Sequence, residues 1–209
     1  LYPEGTLGTA RVVRKNQGRG YYSIWGVDGY LFYHVKKPIP VTSLEIFNGR
    51  SWKTWMVDDP PQWRSMQIFA ENASGRVLTT GLGLGLVLHA LVQNTLVSQI
   101  TVVERSKDVI ALIGRYIPSR VEVVEADFYD FVAGDPRQFD TVIVDLWVSS
   151  TAGQKMSLFV QEVIPLALRL RERYPKASIS FHGFVTISDV KVVSDSMVAL
   201  ISDLRPYSP

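Results

Sequence analysis

From Arg76 onward, apolar runs recur at 76–80, 100–104, 121–125, 139–145 and 177–182, and stretches with helical spacing lie near 84–97, 107–116, 127–133, 153–173 and 188–203. Short apolar runs bounded by turn residues suit buried strands, and strands alternating with helices imply crossovers between parallel neighbours. The pattern predicts an α/β fold with an open, mostly parallel sheet and helices on both faces. Before residue 58 the pattern is different. Tyr21–Trp25, Tyr30–Tyr33, Ser43–Phe47 and Trp52–Met56 are rich in aromatic and branched residues, which suit a pleated surface. Val27-Asp28-Gly29 and Asn48-Gly49 supply hairpin turns, because Asp-Gly and Asn-Gly tolerate positive φ. Lys36-Lys37-Pro38-Ile39-Pro40 is expected to punctuate this small β-hairpin unit. Asp58-Asp59-Pro60-Pro61 reads as a helix start, running to about Asn72 and stopped near Ser74-Gly75. The expected organisation is a β-rich unit over 1–57 and an α/β domain over 58–209.

Composition narrows the chemistry. With 209 residues and 46% apolar content the chain can bury a core of usual size. No stretch approaches the roughly 20 apolar residues of a membrane-spanning helix, and the first residues have no signal-peptide character. The expectation is a soluble cytoplasmic protein. There is no cysteine, and His34, His89 and His182 are scattered, so no metal site is expected and chemistry must use carboxylates, hydroxyls, aromatics or a cofactor. The net charge of +2 is uneven. Residues 1–57 carry Arg11, Arg14, Lys15, Arg19, Lys36, Lys37, Arg50 and Lys53 against Glu4, Asp28 and Glu45, a balance of +5 that leaves −3 for the rest. A basic, aromatic front end beside a mildly acidic body suits a polyanion or an acidic partner. A solvated sheet face and packing of the small sheet explain the same residues, which argues against nucleic acid; a homodimer through this unit is a separate expectation.

Four features fall in order at strand ends. Gly81-Leu82-Gly83-Leu84-Gly85 follows the first run, where open α/β sheets bind ligands and closely spaced glycines let backbone approach them. A dinucleotide fingerprint wants glycines at i, i+2 and i+5, but here the third is Gly85 at i+4. A nucleoside cofactor without a pyrophosphate fits better. Glu104 ends the second run about 20 residues later, where a carboxylate can hold ribose hydroxyls. Asp127 ends the third and can accept from the exocyclic amine of adenine, with Phe128 packing on the ring; it can also cap the following helix. Asp145 ends the fourth, facing the place where the reactive end of a cofactor would lie.

Residues 76 to 147 resemble the core of class I S-adenosylmethionine-dependent methyltransferases, most closely the spermidine synthase branch. Arg76–Gly85 resembles the family's first motif, Thr101–Glu104 its ribose-binding strand end, Val121–Phe128 its adenine-binding segment and Phe139–Asp145 its fourth strand. The resemblance implies a Rossmann-like domain over 58–209 with S-adenosylmethionine as cofactor, Gly81, Gly83, Gly85, Glu104, Asp127, Phe128 and Asp145 as its binding residues, and Asp145 as the catalytic candidate. It implies a methyltransferase acting on a small-molecule acceptor.

The departures shape the alternatives. Aminopropyltransferases usually carry an acid inside the glycine loop and another three positions after the fourth-strand aspartate, and this chain has Leu84 and Val148 there. The loss of those acids argues against polyamine synthesis, so an aminopropyltransferase with rearranged acids, using decarboxylated S-adenosylmethionine, is the alternative enzyme, and a non-catalytic nucleoside-binding or scaffold relative is the alternative class. Many methyltransferases place an acid two residues before the first glycine; here it is Thr79. The family's usual final antiparallel strand pair has no room before Pro209, so the sheet is expected to be shortened at that edge or completed by another subunit. His182 is a possible general base that is more often structural, and His89 is expected to be packing or surface. Trp147 and Ser149-Ser150-Thr151 are candidates for a substrate pocket or a helix start. Asp59-Pro60-Pro61 lies before the glycine loop and reads as a helix cap.

Overall fold

The computed structural model of the chain describes residues 2–26, 29–146 and 158–182, with the side chains of 23–31 left aside. The N-terminal part forms an antiparallel sheet in the order β1-β2-β5-β6, with β1 Gly5–Leu7, β2 Ala10–Gln17, β5 Ile39–Phe47 and β6 Trp52–Val57. A separate pair, β3 Gly20–Gly26 and β4 Gly29–Val35, is in register from Gly20↔Val35 to Gly26↔Gly29. The expected hairpins are present, although Val27 and Asp28 lie outside the described residues. Strand β2 was not legible, because only Ala10 and Val12 of its eight residues are buried. The proline break is also milder than expected. Pro40 is the second residue of β5, opposite Asn16 near the end of β2, and the buried run from Val41 to Glu45 follows it.

Helix α1, Pro60–Glu71, begins as expected: Asp59 accepts from the Gln62 amide at 2.9 Å and proline occupies the first turn. Five parallel strands follow in the order β11-β10-β7-β8-β9, with β7 Gly75–Thr80, β8 Val97–Glu104, β9 Val121–Glu125, β10 Thr141–Val144 and β11 Ser178–Phe181. The first strand of the α/β part, β7, is central and the order reverses between β7 and β10, which is where such sheets open a crevice. Helix α2 spans only Leu86–Leu91, not the expected 84–97. Asn94 ends it early, donating from Nδ2 to the carbonyls of Ala70 and Ala73, and β8 starts three residues later. Helix α3, Lys107–Ile113, is capped by Ser106 and runs on as a tight turn to Tyr116; α4, Phe128–Gly134, is capped by Asp127. A π-helical turn at Phe159–Val163 leads into α5, Ile164–Arg173. The helix expected at 188–203 lies outside the described residues.

Alternation along the strands produces two cores. Val77, Ile100 and Val102 face α1, α2 and α3, while Leu78, Val103, Val142 and Val144 face α4 and α5. Helices therefore cover both faces, as the periodicity requires. Tyr2, Ala10, Val12 and Leu44 join the first of these cores. The N-terminal sheet and the α/β part thus share one apolar cluster, in which burying a residue such as Leu44 stabilises by about 1.5–3 kcal/mol relative to leaving it in water.

Candidate functional site

The carboxyl ends of β7, β8, β9 and β10 open into one cleft of about 390 Å³, lined among others by Gly81, Gly83, Glu104, Asp127, Phe128 and Asp145. Gly81 (φ 72°) and Gly83 (φ 49°) hold the loop in left-handed backbone that other residues seldom adopt. A Cβ at Gly81 would come within 3.0 Å of the Asp145 carbonyl, and one at Gly83 within 2.8 Å of the Met56 sulfur. The loop is wedged between the end of β10 and strand β6. Gly85 is different: it precedes α2 with φ 65°, packs beside Ile117 and Tyr2, and stands outside the cleft lining.

The loop's own hydrogen bonds bear on what it can hold. The amides of Gly81, Leu82, Leu84 and Gly85 donate to Val103 O, Glu104 Oε2, Met56 Sδ and Leu82 O. A phosphate site at a glycine loop works through converging N–H groups, and these four are already engaged. The arrangement suits a nucleoside approached by glycine backbone, without a pyrophosphate.

Glu104 spans the turn. Its Oε2 accepts from the Leu82 amide at 2.8 Å and its Oε1 from the Ser106 amide at 2.7 Å. A carboxylate has about four acceptor positions, so each oxygen keeps one for a ligand hydroxyl. Asp127 fulfils its capping role, accepting from the Tyr129 amide at 2.8 Å, while Phe128 is buried at the cleft wall. Thr80 Oγ1 accepts from the Asp145 amide at 2.7 Å, and Asp145 Oδ1 lies 3.0 Å from His182 Nδ1. His182 thus reaches Asp145 from the adjacent strand, with Phe69 edge-on to its ring. Thr79 is fully buried and does not face the cleft.

Several lining residues were not anticipated. Leu44, Ile46 and Trp55 come from the N-terminal sheet, and Glu162 comes from the π-helical turn beside Tyr129, whose hydroxyl donates to it at 3.3 Å. Burial, reinforced by the Glu162 charge, raises the Tyr129 pKa. The roof residues are more than 25 positions from the glycine loop, so local pattern carries no trace of them. Tyr2 is another long-range contributor. Its buried hydroxyl donates to Leu84 O at 2.5 Å, so its oxygen accepts from His89 Nε2 at 3.1 Å. Burial pushes Tyr2 up to about 12, which keeps it a neutral donor, and burial lowers the His89 pKa. Trp147, Val148 and Ser149–Thr151 lie outside the described residues.

Strand order, parallel direction and a cleft at the carboxyl ends define a Rossmann-like α/β protein. Among solved structures the chain is similar to the spermidine synthase of Thermotoga maritima, at 16% identity over 80% of this chain and 65% of that one, with a TM-score of 0.44. It is also similar to precorrin 8W decarboxylase of Methanobacterium thermoautotrophicum, at 16% identity over 70% of this chain and 73% of that one (TM-score 0.41). A third similarity is to the Trypanosoma brucei PRMT1 enzyme-prozyme complex with AdoHcy, at 23% identity over 58% and 38% (TM-score 0.42). The chain spans less than two thirds of the length of the first and third of these. No protein-family model and no curated protein matches it. Among the described residues no helix is long and apolar enough to cross a membrane.

Proposed function

We propose that this chain binds S-adenosylmethionine in the cleft and transfers its methyl group to a small-molecule acceptor. The observation that carries the reading is convergence: two glycines whose Cβ positions would be filled by neighbouring atoms, and carboxylates from three further strand ends, meet in one cavity. The donor set fits a nucleoside. Glu104 would take the ribose hydroxyls and Asp127 the exocyclic amine, with Phe128 against the ring. The bound group would supply a methyl on a cationic sulfur, which needs little acid–base help. The protein's part is to hold the acceptor in line and keep water out. Asp145, held by His182 and Thr80, stands where it can orient the acceptor and take a proton from it.

Titration calorimetry with S-adenosylmethionine and its decarboxylated form tests this reading. One-to-one micromolar binding of the carboxylated form supports it. Preference for the decarboxylated form would move the reaction to aminopropyl transfer, and no heat with either would overturn the nucleoside site.

A further inference from the structure

We infer that Trp55 is a ligand-binding residue of the cleft whose indole face recognises a positively charged sulfur. The inference rests on the proposed nucleoside reading and deepens it, because it names the charge state of the ligand as the property being read.

The evidence begins with strand register. Strands β5 and β6 pair from Phe47↔Trp52 to Glu45↔Thr54, and then the register shifts so that Leu44 stands opposite Met56. Trp55 is the extra residue of a β-bulge. Opposed residues of an antiparallel pair share a face, and successive residues alternate. Glu45 and Thr54 share the face where Arg11 and Lys15 hold the Glu45 carboxylate, with Thr54 Oγ1 3.5 Å from it. Leu44 and Met56 share the other face, which meets the cleft and the glycine loop. In an unbroken ladder Met56 would fall on the face of Thr54, away from Gly83 and Leu84. Bulges re-aim side chains and gather beside functional sites; this one turns Met56 to the glycine loop while Trp55 keeps to the cleft, which it lines with Leu44 and Ile46.

The chemistry of the lining says what an indole there would meet. Among the described residues that line the cleft, Glu104, Asp127, Asp145 and Glu162 are acidic and Arg105 is basic. Such a lining concentrates cations. Trp55 is 45% exposed, so it retains surface to offer. The other tryptophan of β6, Trp52, has Arg11 over its ring at 4.4 Å, whereas among the described residues no protein cation lies over Trp55. Indole is the strongest of the aromatic faces for a cation and gives a neutral ligand no such attraction.

S-adenosylmethionine and S-adenosylhomocysteine isolate this property, because they share nucleoside and amino-acid parts and differ by a methyl group and the charge on sulfur. Full-length chains with Trp55→Leu and Trp55→Phe would be titrated with both ligands at fixed ionic strength, alongside thermal melts. The expected result is that Trp55→Leu reduces the preference for the cationic ligand about fivefold, with the homocysteine form changed less than about twofold. Trp55→Phe, the smaller perturbation, should keep part of the preference and serves if the leucine variant does not fold. An unchanged ratio of affinities in the folded variants, or equal loss of both ligands, would overturn the inference while leaving the nucleoside site standing. Failure of the unsubstituted chain to bind either ligand would overturn both.

Discussion

Glu104→Ala should weaken the fold and the site together, and the two losses are separable. In the folded chain the carboxylate accepts from the Leu82 and Ser106 amides. Leu82 is 2% exposed, so its amide would be left without a partner, at a cost of about 1–3 kcal/mol. The Ser106 amide is closer to solvent and recovers water, so its loss is of the order of 0.5–1.5 kcal/mol. Together these predict a destabilisation of about 1.5–4.5 kcal/mol. At roughly 2–4 °C per kcal/mol for a chain of this size, the melting temperature should fall by about 3–18 °C. Denaturant titration should show the same loss through the midpoint, with the slope unchanged. If Glu104 also holds two ribose hydroxyls, nucleoside affinity measured below the melting range should drop about 5- to 150-fold. Glu104→Gln sharpens the test. It retains one acceptor oxygen but turns an NH2 towards the second amide, so most of the stability loss should remain. A stable Ala variant would refute the clasp between Glu104 and the loop, and a folded one with full affinity would remove Glu104 from the ligand site.

Other expectations follow from neighbouring contacts. Gly83→Ala puts a Cβ within 2.8 Å of Met56 Sδ at φ 49°; it should cost about 1–3 kcal/mol by denaturant titration, and adding Met56→Ala should restore only part, because the backbone strain persists. Tyr2→Phe removes the buried donor to Leu84 O and should cost about 1–3 kcal/mol in the same assay. For pH, burial holds the His89 pKa below its unfolded value of about 6.5. The unfolded chain then binds more protons, so this group's contribution is complete above the unfolded pKa and declines as pH falls through it towards the folded one. Melts between pH 7.5 and 5 should show a downward slope that His89→Gln flattens; an unaltered slope would assign the acid sensitivity elsewhere.

What could be read from the chain was local. Asp59 before two prolines announced α1, and glycines after an apolar run announced a left-handed turn, which the structure places beside the cleft. Glu104, Asp127 and Asp145 were legible because each lies at or within two residues of the carboxyl end of a parallel strand, so topology brings them to one edge. Gly85 shows the limit of that logic. It shares the spacing of its neighbours but answers to Ile117 and Tyr2. The extent of α2 was misjudged because Val92 continues an apolar pattern that Asn94 ends through contacts with another helix. Trp55 and Leu44 reach the cleft through the pairing of two strands, and the shift between Leu44 and Glu45 that admits Trp55 has no mark in composition or periodicity.

The hydrogen bond from Tyr2 to Leu84 joins positions 82 apart in the chain, and its consequence concerns recombination. A chimera spliced at Val57 would cut through no described strand, yet a foreign N-terminal piece would take away the Tyr2 hydroxyl, the Met56 sulfur and the Thr9 donors to Asp108 at one stroke. The glycine turn would then keep its hydrogen bonds to Val103 and Glu104 but lose its contacts with the N-terminal part. A transplant that carries the turn with its own residues 2–57 preserves these contacts, so the heritable unit of this site is larger than the motif that announces it.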